Sequence, residues 1–171
     1  SLYRRFLSEF PDDVEAGRVR YQLARALELR GDNLGALAEL DALVQEDGEQ
    51  PLLAEAQFRR GETLFVNRRW AESEAAYEAV MRLGPDTGFY EQATYKHGWA
   101  LFKQGRHEES LASFFLVLDD RFAGADPDLD AMERPVRELV DDTLRAVSIG
   151  FSYLDGADSL ADYVAAREPE V

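Results

Sequence analysis

Tyr95 to Phe115 reads YKHGWALFKQGRHEESLASFF, and its framework returns every 37 residues, as the step from Gly61 to Gly98 shows. It reads as two short amphipathic helices joined at a glycine. Gly98 is small where two helices cross and Leu101 follows one turn later. Gly105 breaks the first helix, Ser110 opens the second, and Phe114 and Val117 form its buried stripe. One period earlier the same roles fall on Gly61, Leu64, Arg68, Ser73, Tyr77 and Val80. One more step back gives Ala24, Leu27, Gly31, Ala36, Leu40 and Leu43. A third step meets only Tyr3 and Phe6, with Pro11 in the slot Pro85 fills later.

A fixed period of this size marks a solenoid, in which a hairpin cannot bury its apolar face until neighbours stack on it. The small residue, the apolar residue three later, the second small residue, the aromatic four further on and the closing proline resemble the tetratricopeptide repeat (TPR) pattern over Ser1 to about Phe122. The chain departs from that pattern twice. Its period is 37 instead of about 34, and Arg20, Gln57 and Thr94 stand where a tryptophan is expected, with the aromatics Tyr21, Phe58 and Tyr95 one place later. The resemblance implies an all-α, right-handed superhelix of antiparallel hairpins with about 8 to 9 helices. With LYRRFLSEFPDD in front, the chain is also similar to TPR modules of bacterial envelope proteins, the Tol-Pal-associated coordinator and the outer-membrane-assembly lipoproteins. That similarity implies a periplasmic or envelope-associated place, with the cytoplasm left open.

Composition narrows the functions. The chain of 171 residues is 46% hydrophobic and 31% charged, ordinary for a globular fold. Its formal charge is -15, and after position 104 six basic residues face sixteen acidic ones. Such a surface repels phosphate backbones and anionic lipid, which excludes nucleic-acid binding as the expected role. The absence of cysteine excludes disulfides, thiolate catalysis and cysteine metal sites. No apolar run reaches the ~18 residues of a membrane span. Ser1 falls within a repeat, so the chain is expected to be a piece of something longer.

A single domain is expected: residues 1–11 end a truncated repeat, 12–50, 51–87 and 88–124 are repeats, and 125–171 form a degenerate fourth hairpin. Asp12 or Asp13, Asp32 or Asn33, and Asp86 or Thr87 are candidate helix caps, and Gly48 marks a connection before Pro51. Trp70 to Leu83 and Ala157 to Arg167 read as helices, and Val136 to Leu154 as the first helix of the last hairpin. The final EPEV is expected to fray.

Partner binding is expected on the first helices, which line the concave face of a TPR superhelix. The candidate set is Tyr21, Arg25, Phe58, Glu62, Tyr95, Trp99 and Phe102. Equivalent residues lie about one helix spacing apart, roughly 10 Å, close to three residues of an extended peptide. Packing between hairpins is the stronger reading for Phe65 and Phe102, and the sequence does not separate packing from binding for Tyr21, Phe58 and Tyr95. Arg18, Arg59, Lys96 and Lys103 are further polar candidates on these helices. Arg25, Glu62 and Trp99 share one equivalent position, which is not the Lys and Asn set of a carboxylate clamp.

Other constellations fail on spacing. Asp126, Asp128 and Asp130 resemble the start of a calcium loop, but Ala131 and Arg137 stand where glycine and a bidentate glutamate are required. His97 and His107 lack an i, i+4 partner, which argues against metal. The adjacent acidic pairs, Glu108 with Glu109, Asp119 with Asp120 and Asp141 with Asp142, point about 100° apart on a helix and cannot flank one bond. No nucleophile motif or phosphate loop is present, and no cofactor is expected. The reading is a non-catalytic interaction scaffold binding a peptide or helix. The alternative is a self-assembling structural segment joined through exposed repeat ends.

Overall fold

A computed structural model describes residues 2–45, 50–122, 132–154 and 156–167. Among them every regular element is helical: α1 (Leu2–Glu9), α2 (Ala16–Leu29), α3 (Asn33–Leu43), α4 (Gln50–Val66), α5 (Trp70–Leu83), a 3-10 turn (Pro85–Thr87), α6 (Tyr90–Lys103), α7 (His107–Phe122), α8 (Arg134–Ser152) and α9 (Ala157–Arg167). The Gly48 connection, the Asp126 to Asp130 loop and the EPEV tail lie outside the described residues. The chain forms two compact units, residues 1–93 and 94–171, divided within α6.

Three hairpin corners share one hydrogen-bond pattern. After α2 the Gly31 N–H donates to the Glu28 carbonyl and the Asp32 N–H to that of Leu27. After α4 Arg68 donates to Phe65 and Arg69 to Leu64, and after α6 Gly105 donates to Phe102 and Arg106 to Leu101. These paired bonds satisfy the last carbonyls of each first helix and require a left-handed residue at the corner. Gly31 and Gly105 both have φ of 77°, and Arg68 takes φ of 60° at the same seat, the one non-glycine residue with positive φ among the described residues. Corner geometry therefore prevails over the side-chain penalty.

Capping follows the expected residues only in part. The Asp32 carboxylate accepts the Gly35 N–H at 2.9 Å, as its spacing predicts. Asp13 instead accepts the Glu15 N–H at 2.8 Å, an Asx turn ahead of α2 whose own N-cap, Glu15, makes no side-chain cap bond. Asp86 and Thr87 do not cap α6 either. They sit in the 3-10 turn, and α6 begins beyond them at Tyr90, too far along for their side chains to reach its first amides.

Within the first unit α1 packs on α2, α2 on α3, α3 on α4 and α4 on α5. The close approach of α4 and α5 depends on Gly61. A Cβ built there would lie 2.5 Å from the Tyr77 ring, which is fully buried. Ser73 secures the same crossing by donating to the Gly61 carbonyl at 2.9 Å. At the matching seat of α2 and α3 the pair is Ala24 and Leu40, a larger small residue against a smaller large one, both buried.

The second unit repeats the arrangement. A Cβ on Gly98 of α6 would lie 2.5 Å from the Phe114 ring of α7. α7 then packs on α8, where a Cβ on Gly150 would lie 2.7 Å from Leu111. Leu111, Phe114, Leu118, Val140, Val147 and Phe151 form the core here. The last helix, α9, contributes Tyr163, stacked on Phe115 with centroids 4.6 Å apart.

Candidate partner-binding groove

In the first unit the equivalent first helices α2 and α4 meet through a polar network on Tyr21. Its ring lies in the core with Ala24, Leu40, Leu43 and Ala56 and is only 5% exposed. Its hydroxyl donates to Glu55 and accepts from Arg59 Nε at 2.7 Å and from Arg25 Nη1 at 3.5 Å. Arg59 also donates to Glu55 at 3.2 Å, and its Nη1 lies 3.6 Å from Glu28. Its guanidinium carbon stands 5.8 Å from the centroid of the Tyr21 ring. Burial, and then the bond to Glu55, raise the Tyr21 pKa. Burial alone would lower that of Arg59, but its bonds to Tyr21 and Glu55 and the charge of Glu28 leave it raised.

Beside this network lies an open groove of about 330 Å³ lined by Glu28, Asn33, Phe58, Arg59, Glu62, Thr63 and Val66. Phe58 is half-buried, with its ring 5.9 Å from Tyr77 and 5.4 Å from Phe89. Glu62 accepts from the Tyr77 hydroxyl at 2.5 Å. Burial, then the charge of Glu62 and the bond to it, push the Tyr77 pKa far above its ordinary value, so the hydroxyl keeps its proton and stays a donor. The Thr63 hydroxyl bridges the Arg59 carbonyl at 3.0 Å and Glu28 at 3.4 Å. Val66 ends α4 with 72% of its surface exposed.

The structure thus brings Tyr21, Arg25, Phe58 and Glu62 together on α2 and α4. Tyr21 presents its hydroxyl to the network and its ring to the core. Sequence reasoning passed over Glu28, Glu55, Thr63 and Val66. The Glu55 and Arg59 pair at i, i+4 was a readable signal, whereas the contact from Tyr21 to Glu55 joins residues on different helices and leaves no local trace.

Tyr95, Trp99 and Phe102 belong to the second unit and pack on one another. Trp99 meets Phe114, Phe102 and Tyr95 edge to face, at 5.5, 5.3 and 6.4 Å. Phe102 also meets His107 at 4.8 Å and Tyr153 at 5.0 Å. Burial raises the Tyr95 pKa, which its bond with Trp99 lowers and the charge of Asp142 raises. Among the described residues no group of His, Cys, Asp or Glu is placed to hold a metal ion, and no helix is long and apolar enough to cross a membrane.

Corners and close-approach seats repeating along one chain define the class, a helical-hairpin repeat protein. The chain belongs to the tetratricopeptide repeat family, whose model matches residues 21–87 and 58–127. The two matches begin at Tyr21 and Phe58, the same seat in successive repeats. No curated protein sequence matches the chain. Among solved structures it is similar to the crystal structure of MamA, with a TM-score of 0.55 and 17% identity over 90% of this chain and 85% of that one. This likeness concerns the fold alone. Tetratricopeptide repeats generally mediate protein–protein interaction.

Proposed function

We propose that this protein is a non-catalytic scaffold that holds a peptide or helix of a partner protein along the first helices of its repeats. The α2 and α4 groove carries the reading, because it is concave, mixes Phe58 and Val66 with charged groups, and is braced from behind by the Tyr21 and Tyr77 networks. Arg25 and Tyr21 belong to the bracing, and Phe58 and Glu62 to the contact surface. Tyr95, Trp99 and Phe102 form the corresponding surface of the second unit. Resemblance to envelope TPR modules supports a periplasmic place in assembling bacterial envelope machinery.

A photo-cross-linking amino acid at Val66 tests both statements in cells. Capture of an envelope protein whose purified form binds the wild type and not Val66→Asp supports them. No adduct at Val66 but one at Val14, which is also exposed, refutes the groove, and a cytosolic partner refutes the location. A second reading has its own observation: Leu2, Phe10 and Val14 around α1 are exposed apolar residues, a surface suited to self-assembly. Concentration-dependent sedimentation abolished by Phe10→Ser supports that reading, and a monomer at all concentrations removes it.

A further inference from the structure

Resting on the groove as the partner site, we infer that the segment it holds carries an acidic side chain beside an aliphatic or aromatic one. Arg30 and Arg68, in the two corners that bound the groove, donate to the carboxylate, and Leu29 and Val66 take the apolar group.

The lining of the groove runs from Asn33, which opens α3 just past the first corner, to Val66, which closes α4 just before the second. Arg30 and Arg68 stand in those corners. Both are exposed, and neither side chain makes an ion pair or hydrogen bond with any described residue. Other arginines of this unit are engaged: Arg20 with Glu39, Arg60 with Asp41 and Arg69 with Glu72. Inside the groove Arg59 is held by Tyr21, Glu55 and Glu28, and Glu62 accepts from Tyr77. The interior charges are thus met within the chain, and the open ones are guanidiniums at the rim.

Arg68 also costs the fold. It takes φ of 60° at the left-handed seat that glycine fills in the other two corners, a conformation unfavourable for a residue with a side chain. No polar contact with a described residue offsets that cost. Nor does the residue serve solubility, because in a chain of charge -15 another base reduces the net charge that keeps molecules apart. A guanidinium kept at such a seat is explained by an anionic group that it meets from outside.

Independent features narrow the anion to a side-chain carboxylate. Leu29 and Val66, 37 positions apart, are 85% and 72% exposed, so each base stands within two residues of an uncovered aliphatic group. Polyphosphates and anionic membranes are repelled by the chain as a whole, whereas a single carboxylate at the rim escapes most of that field across a screening length of about 8 Å. In the second unit Lys103 closes α6 at the position equivalent to Val66. It too is exposed and makes no ion pair or side-chain hydrogen bond with a described residue, so a base recurs at each corner.

Selection from a random-peptide display library against the whole chain provides the probes. Enriched peptides are expected to carry Asp or Glu within a few residues of Leu, Ile or Phe. A selected peptide is expected to bind Arg68→Gly several-fold more weakly, although that variant melts higher, and Arg30→Gln/Arg68→Gly about tenfold more weakly. Weaker binding together with higher stability separates a lost contact from a folding defect. Arg68→Lys, which keeps the charge, is expected to retain most of the affinity. Enriched peptides without acids, or acidic peptides that bind the double variant unchanged, overturn the charge inference, and the groove still stands where Val66→Ser weakens their binding. Binding that Val66→Ser leaves unchanged removes the groove reading, and if no peptide is enriched both fall together.

Discussion

Gly98→Ala gives the sharpest energetic test of the repeat geometry. Its new Cβ would lie 2.5 Å from a Phe114 ring carbon that is fully buried, so relief must come from moving a packed ring. Overpacking of this kind costs about 1–3 kcal/mol, against which alanine gains about 1 kcal/mol in helix propensity. A net loss of up to about 2 kcal/mol is expected. Phe114→Leu alone opens space and costs a further ~1–2 kcal/mol. The double variant reproduces the Ala24 and Leu40 pair that the chain already uses one hairpin after α1. There the new Cβ occupies the vacated space, so the double variant is expected to be more stable than the sum of the singles by at least ~1.5 kcal/mol. Urea unfolding in a Trp70→Phe background, followed by Trp99 fluorescence, reports on the hairpin concerned. Losses that add within ~0.5 kcal/mol would refute the steric coupling.

Other expectations are more local. Arg68→Gly relieves the left-handed corner and is expected to raise stability by about 1 kcal/mol in a urea titration, while Gly31→Ala lowers it by a similar amount. Tyr21→Phe removes the oxygen that Arg59, Arg25 and Glu55 share and is expected to cost ~1–2 kcal/mol by thermal melting, with helicity retained. The bond from Arg106 holds the Glu109 carboxyl below its ordinary pKa, so its contribution is present above the unfolded value and is lost as pH falls through the lower folded one. In Arg106→Gln an NMR titration is expected to find Glu109 returned to the ordinary carboxylate range, and an unmoved midpoint rejects the assignment.

Features held by local chemistry were legible in the sequence. The Gly31 and Gly105 corners, the Asp32 cap and the helices Trp70–Leu83 and Ala157–Arg167 follow from residues adjacent in the chain. The repeat register carried Arg68 to a glycine seat, although no propensity would put it there. The cap of α6 was missed because Asp86 and Thr87 are taken up in the Pro85–Thr87 turn, beyond which the helix begins at Tyr90. The groove was half legible. Phe58 and Glu62 follow from their repeat positions. Burial of Tyr21 depends on Ala56 and Leu40 arriving from other helices, and periodicity on one helix cannot report that.

The groove between α2 and α4 is proposed to hold a segment of another polypeptide. Intermolecular NOEs between the Val66 methyls of the isotope-labelled chain and the tightest-binding peptide selected from a random-peptide display library probe that contact. NOEs are expected from Val66 and from the Phe58 ring to aliphatic protons of the peptide, with the largest amide shifts along α2 and α4. NOEs confined to residues remote from the groove, such as Val14 or Tyr153, with Val66 and Phe58 unmoved, would contradict it.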